Sequence, residues 1–165
     1  MYIIQKIVYF CAKFQTKYYK IMSEQENAVS FFRFEDLRIY AKALEYTRWL
    51  YEKTSHFSGT QETVLAGGLL KSAQAIVLNI AEGSARNKAQ FIYYLKMAKS
   101  SLRECVVYTE LAARLGSFSE DDKEYSRNQL MELTRMIGSL VSSLQRAANM
   151  TSSRNDDDMD MMSDL

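Results

Sequence analysis

No proline occurs in this chain of 165 residues, and only six glycines do. Proline and glycine are the residues that most disfavour a helix interior, so long stretches of this chain can stay helical without interruption. Residues that favour helices, such as alanine, leucine, glutamate and lysine, are plentiful. The sequence therefore predicts an all-α protein, and its length suits a single domain.

Apolar residues recur at steps of three and four in four segments, as they do in helices that bury one face. We predict a first helix over about residues 35–53, a second over about 61–82, a third from about 87 and a fourth from about 120. The fourth segment has the most regular pattern, formed by Leu130, Leu133, Ile137, Leu140 and Leu144. Because the connections are short, neighbouring helices are expected to be antiparallel, which gives an up-down-up-down four-helix bundle.

Residues that suit helix termini mark the beginning and end of the third helix. Asn87, with Gln90 three residues later, predicts an N-cap with its reciprocal partner. Gly116 is expected to end this helix, and Ser119 with Asp122 predicts the start of the fourth helix.

The stretch LNIAEGSARNKAQF, residues 78–91, places polar groups and a glycine at the end of the second helix. We predict that Thr60 caps the start of that helix and that Gly83 ends it in the left-handed conformation. Asn79 and Glu82 would then lie at the turn, where they can bond backbone groups or Arg86. This structural interpretation is favoured over a catalytic amide and acid.

Charge is distributed unevenly between the two ends of the chain. Residues 1–22 carry four lysines and no acid, whereas residues 148–165 carry five aspartates and one arginine. We predict an N-terminal extension over residues 1–33, the bundle over 34–147 and an acidic disordered tail over 148–165. The first residues either belong to the protein or precede a start at Met22. Lysines interrupt this segment too often for a membrane span, so no membrane is expected.

The residues needed for common catalytic sites are missing from the sequence. A di-iron bundle needs two Glu-x-x-His pairs, and the single histidine, His56, falls in a loop. Cys11 and Cys105 lie far apart and form no zinc or redox motif, which suits a reducing cytoplasm. The sequence thus predicts a cytoplasmic, non-enzymatic protein with no catalytic residue, metal or cofactor.

A basic stripe is the surface feature most suggestive of a ligand. Lys96, Lys99 and Arg103 fall on one side of the third helix, and Tyr93 precedes them by one turn. This stripe either contacts phosphates or is an ordinary solvated face. Aromatic residues point in several directions around the first helix, so some are expected at a subunit interface. Repetition of the stripe around such an oligomer would strengthen its field.

Four segments of the chain resemble the four-helix-bundle family of 23S ribosomal RNA intervening-sequence proteins, which is also similar to the accessory variability protein of diversity-generating retroelements. They are FEDLRIYAKALEYT, AIVLNIAEGSAR, FIYYLKMAKSSLRE and LTRMIGSLVSSLQ, within about residues 34–145. The matched motif residues include Asn79, Glu82, Gly83, Ser101 and Glu104, for which we expect structural roles. The resemblance implies a ring, a homopentamer without established enzymatic activity, and a role in binding RNA or an RNA-handling partner.

The chain departs from the family pattern early in the second helix, where Gly68, Leu70 and Lys71 replace a glutamine and paired arginines. Ala75 also replaces a usual serine. Our leading hypothesis is an oligomeric bundle that binds RNA or DNA through its phosphates. The predicted binding residues are Lys71, Arg86, Lys88, Lys96, Lys99 and Arg103. The alternative is a scaffold that binds a reverse transcriptase or another protein without contacting nucleic acid.

Overall fold

A computed structural model describes the backbone of residues 31–163 and the side chains of residues 31–148. The four helices are α1 (Arg38–Thr54), α2 (Thr60–Ser84), α3 (Lys88–Arg114) and α4 (Glu120–Ser163). No strand occurs within residues 31–163. The prediction of an all-α, four-helix protein is therefore confirmed. Residues 1–30, most of the predicted N-terminal extension, lie outside the described residues.

Contacts between the helices show how the bundle is arranged. Three contacts join α1 to α4: Lys42 with Glu132, Tyr46 with Ser126, and Lys53 with Asp122. Two hydrogen bonds link the beginning of α2 to the connection just after α3, and the middle of α2 to the middle of α3: Glu62 with Ser117 and Ser72 with Glu104. In both pairs residue numbers rise along one helix as they fall along the other, as they do between antiparallel helices.

The leucine seam of α4 lies in the core over its first half. Leu130, Leu133 and Ile137 are at most 2% exposed, whereas Leu140 and Leu144 are half-buried. Full burial of such a side chain stabilises the fold by about 1.5–3 kcal/mol. The predicted seam is therefore confirmed for its first three members, which anchor α4 in the bundle.

The predicted ends of α3 and the start of α4 are confirmed. The side chain of Asn87 accepts a hydrogen bond from the backbone N–H of Gln90 at 2.9 Å. Gly116 follows α3 with a φ of +77°, the left-handed conformation that favours glycine. Ser119 Oγ accepts from the backbone N–H of Asp122, whose carboxylate accepts in return from the Ser119 hydroxyl.

Two predicted ends of α2 are wrong. The N-cap is Gly59 rather than Thr60, and no side chain caps this end. The Glu62 carboxylate accepts from the backbone N–H groups of Ser58 and Gly59, which is the glutamate half of a capping box. Gly83 lies inside α2 and is buried, and among the described residues only Gly116 has a positive φ. A Cβ at position 83 would lie 2.7 Å from the Cβ of Tyr94, so this glycine permits close approach of α3.

The helix α4 continues to Ser163, well past the end expected near residue 147. It thereby includes most of the segment that we predicted as a disordered tail. No proline or glycine follows Gly138, and each residue added to an existing helix gains one hydrogen bond. Side chains after residue 148 lie outside the described part of the chain.

Among the described helices, α2 has the length and apolar composition of a membrane-crossing helix, with a mean hydropathy of 1.5 over its most apolar window. Its apolar residues, however, supply much of the bundle core, including Leu69, Ala73, Ile76 and Ile80, all at most 1% exposed. Burial against the neighbouring helices, α1 and α3, accounts for this hydropathy.

Candidate nucleic-acid interface

The motif residues at the α2–α3 turn make local contacts. The amide of Asn79 donates to the carbonyl of Ala75 at 2.7 Å. The guanidinium of Arg86 donates to the Glu82 carboxylate, with an Nε–Oε1 distance of 2.9 Å. This hydrogen bond raises the pKa of Arg86. Both charges of the pair are therefore compensated within the turn.

The second motif joins α3 to α2 through small and polar side chains. The buried Ser101 hydroxyl donates to the carbonyl of Met97 at 3.4 Å. Glu104 accepts a hydrogen bond of 2.7 Å from the hydroxyl of Ser72 on α2. The Ser72–Glu104 bond joins the two helices, and no buried side-chain nitrogen or oxygen in the described residues lacks a hydrogen-bond partner.

No cluster of metal-ligating side chains occurs among residues 31–148. His56 is exposed after the end of α1, and no set of three His, Cys, Asp or Glu side chains there is close enough to hold a metal ion. Burial raises the pKa of the Cys105 thiol to about 12, and the nearby Glu104 contributes to that rise. A thiol that stays protonated at neutral pH is a poor nucleophile.

The basic stripe of Lys96, Lys99 and Arg103 lies on the side of α3 that faces α4. Two contacts bracket it: Lys123 lies 3.8 Å from Glu110 near the end of α3, and Lys88 donates to the carbonyl of Ala147 at 3.5 Å near its start. Residues at steps of three and four between positions 88 and 110 lie along the same side of the helix. The stripe therefore borders the boundary between α3 and α4.

Two arginines of α4 lie along the same boundary. Arg127 and Arg135 are exposed, and a cavity of about 280 Å³ opens between α3 and α4 beside them. The cavity is lined by Val106, Arg127, Leu130, Met131, Thr134 and Arg135. We call this surface the basic groove and define it by Lys96, Lys99, Arg103, Arg127 and Arg135.

The five cations of the basic groove form no salt bridge within the described part of the chain. Two acids near the groove are already paired: Glu132 contacts Lys42, and Glu110 contacts Arg114 and Lys123. The hydrogen bond from Arg114, followed by the charge of Lys123, lowers the pKa of Glu110, and the charge of Arg127 adds a smaller effect in the same direction. The groove is therefore locally positive although the whole chain carries a net charge of only +1.

The remaining predicted binding residues are not all brought to this groove. Lys88 lies at its far end, beside Ala147. Lys71 is exposed on α2, which does not border the groove, and Arg86 is engaged by Glu82. Four of the six predicted residues therefore lie along or at the end of the basic groove: Lys88, Lys96, Lys99 and Arg103. The other two, Lys71 and Arg86, lie elsewhere.

The contribution of Arg127 and Arg135 was not predicted from the sequence. The two arginines are eight residues apart, slightly more than two turns, so they share one side of α4. Their spacing predicts only that the two arginines share one side of α4. It does not reveal which neighbouring helix lies beside that side.

Residues 35–139 match the family model described as 23S rRNA-intervening sequence protein. Among solved structures, the chain is similar to a protein with unknown function from the S23 ribosomal protein family of Bacteroides thetaiotaomicron. The two share 23% sequence identity and a TM-score of 0.59, over 63% of this chain and 95% of that chain. At this identity the likeness shows a common fold. No curated protein matches the sequence.

Proposed function

The chain belongs to the family of 23S rRNA-intervening sequence proteins, and we propose that it is a non-enzymatic, self-associating helical bundle that binds RNA or DNA through the basic groove. The ligand contacts are mainly to phosphates, and the protein works in the cytoplasm. The resemblance described above implies a homopentameric ring as the assembly.

One observation carries this proposal: five cations from two helices border one groove, and none of them forms a salt bridge in the described region. Arginine and lysine side chains that are free of intramolecular ion pairs can release the counterions condensed on a nucleic acid. Val106 and Met131, both partly exposed between the charges, offer apolar surface to sugars and bases.

Self-association strengthens the proposed activity. A single groove of five cations makes few phosphate contacts, which gives weak binding at physiological salt. Several copies in one assembly present several grooves to the same strand, so the second and later contacts are intramolecular. The proposed ligand is consequently a nucleic acid long enough to contact more than one subunit.

Removal of two groove arginines tests the proposal. The double variant Arg127→Gln, Arg135→Gln is compared with wild type for retention of a mixed-sequence RNA and a mixed-sequence DNA at several salt concentrations. We expect weaker binding and a shallower salt dependence, with the slope of log K against log salt reduced by about 0.7–0.9 for each phosphate that the variant no longer neutralises.

The matched control is the double variant Arg33→Gln, Arg48→Gln, which removes the same charge from exposed arginines in and before α1. It should bind as wild type does after the correction for net charge. Equal weakening in both double variants would show that only total charge matters, and no retention by folded wild-type oligomer at low salt would remove the proposal.

A protein-interaction scaffold is the second candidate, because apolar side chains are exposed on α1, α2 and α3. Leu44, Leu78, Val107 and Leu111 are between 42% and 66% exposed. We propose a reverse transcriptase as one such partner, which follows from the resemblance to the accessory variability protein that the sequence suggested. In that case reversal of the groove charges would leave partner binding unchanged, and the same change would abolish nucleic-acid binding if our main proposal holds.

A further inference from the structure

The outward surface of α3 is divided lengthwise into two different halves. The half towards α4 carries the basic stripe. The half towards α2, marked by the Ser72–Glu104 hydrogen bond, carries exposed side chains at alternating steps of four and three. We call it the α3 seam; it comprises Tyr93, Met97, Ser100, Glu104, Val107 and Leu111.

The α3 seam has the spacing of a helix that packs against other helices. Alternating steps of three and four maintain one line along a helix over many turns. The α3 seam runs from Tyr93 to Leu111, which is about 27 Å at a rise of 1.5 Å per residue. Tyr93 is 60% exposed and Val107 is 65% exposed, so the bundle's own core does not use this line. Such length suits a second helical surface better than a small ligand.

A second apolar surface lies between α1 and α2. A groove of about 330 Å³ is lined by Leu44, Thr47, Gln74, Val77 and Leu78. Leu78 is 66% exposed and Leu44 is 42% exposed. Tyr51, which is 49% exposed, accepts a hydrogen bond from Gln74 at its rim. We call this surface the α1/α2 groove.

We infer that the α3 seam of one copy packs into the α1/α2 groove of a second copy of this chain. The inference rests on the self-association within the proposed function and not on nucleic-acid binding. Both surfaces are mainly apolar, and the one charge on the α3 seam is opposite in sign to a charge beside the α1/α2 groove. Glu104 is the only charged residue of the seam, and Lys71 lies on the same outward line of α2 as Gln74 and Leu78.

The placement of the two surfaces favours a closed ring. The α1/α2 groove lies on the face formed by α1 and α2. The α3 seam lies on the face formed by α2 and α3, so α2 belongs to both faces. Adjacent faces of a four-helix bundle meet at roughly a right angle. Head-to-tail pairing through such faces turns each copy in the same direction and closes after a few copies, whereas pairing through opposite faces extends into a filament.

Ring closure also increases the area that each copy buries. Each copy contributes its α3 seam to one neighbour and its α1/α2 groove to the other, so each copy buries two surfaces, whereas stable interfaces bury about 800 Å² per partner. Since α2 belongs to both contacting faces, it points towards the ring axis and α4 lies on the outer wall. The basic groove, between α3 and α4, is thereby left open to the outside.

Two single substitutions test the pairing. Val107→Glu places a negative charge in the α3 seam, and Leu78→Glu places a negative charge in the α1/α2 groove. Each variant is expected to shift the mass measured by light scattering after size exclusion from oligomer to monomer. Circular dichroism and thermal unfolding establish that each remains folded, as expected for residues that are about two-thirds exposed.

Mixing the two variants gives the decisive result. A Leu78→Glu copy retains an intact α3 seam, and a Val107→Glu copy retains an intact α1/α2 groove. The mixture should therefore form a heterodimer, which neither variant forms alone. The inference is overturned if the mixture forms no heterodimer. It is also overturned if the Leu78→Glu variant stays oligomeric, because that result would show that two α3 seams pair with each other.

Met131→Glu is the matched control, since Met131 is 42% exposed beside the basic groove and outside both surfaces. It should remain oligomeric. A monomeric wild-type protein would overturn the pairing whatever its nucleic-acid binding. An oligomer that retains no nucleic acid would remove the proposed function and leave the pairing intact.

Discussion

At the residue scale, two glycines of α2 have opposite surroundings. A Cβ at Gly83 would lie 2.7 Å from Tyr94 Cβ and 2.8 Å from the ring of Phe91. A Cβ at Gly67 would have no such atom within 4 Å. The first glycine therefore permits α3 to approach α2, while the second only weakens the helix.

We predict opposite effects for alanine at these two positions. Gly83→Ala should destabilise the protein by about 1–3 kcal/mol, because backbone-linked atoms must move to admit the methyl group. Gly67→Ala should stabilise it by about 0.5–1 kcal/mol, since alanine favours the helix. Urea unfolding of both variants measures the difference, and equal stabilities would contradict the proposed role of Gly83.

A second residue-scale prediction concerns Asp122 at the start of α4. Burial alone would raise the pKa of this carboxyl, but hydrogen bonds from Lys53 and Ser119 outweigh burial and lower it. A depressed folded pKa contributes stability that is fully present above the unfolded value, about 3.9, and is lost as pH falls through the folded value.

The stability difference between wild type and Asp122→Asn should therefore be largest near neutral pH and shrink below about pH 4. Urea unfolding at both pH values measures it. Asp121→Asn, at the exposed neighbouring aspartate, is the control and should show a smaller difference. An Asp122→Asn effect that is independent of pH would contradict the role assigned to the carboxylate.

At the element scale, the seam of α4 changes from buried to half-buried along its length. Leu133 is fully buried, whereas Leu140 retains partial exposure. We predict that Leu133→Ala costs about 2–5 kcal/mol of stability because it removes transfer energy and leaves a cavity. Leu140→Ala should cost clearly less. Chemical unfolding measures the free energy of unfolding of both variants. Similar destabilisation would contradict the difference in burial between the two positions.

At the scale of the whole molecule, outward basic grooves repeated around a ring predict a dependence on ligand length. The monomeric Leu78→Glu variant keeps its groove cations but has one groove per particle. We expect it to bind a short oligonucleotide as wild type does and a long RNA at least about tenfold more weakly. Titrations with both lengths at one salt concentration measure this, and equal binding of the long RNA would contradict multivalent contact.

The sequence alone was sufficient for the helices and for several of their ends. Regular apolar spacing and the lack of proline depend only on local geometry, and so do the side-chain cap at Asn87 and the positive φ of Gly116. Lys96, Lys99 and Arg103 could be assigned to one side of α3 for the same reason. The N-cap at Gly59 was missed because glycine has no side chain that marks a cap, and its backbone N–H donates to the glutamate three residues later.

Only the tertiary structure decided which surfaces face each other. The role of Gly83 depends on Tyr94 and Phe91, which reach it from another helix. The basic groove depends on α4, which places Arg127 and Arg135 along the boundary with α3. Periodicity fixes the direction of a side chain relative to its own helix axis, but the rotation of each helix in the bundle is set by packing against its neighbours.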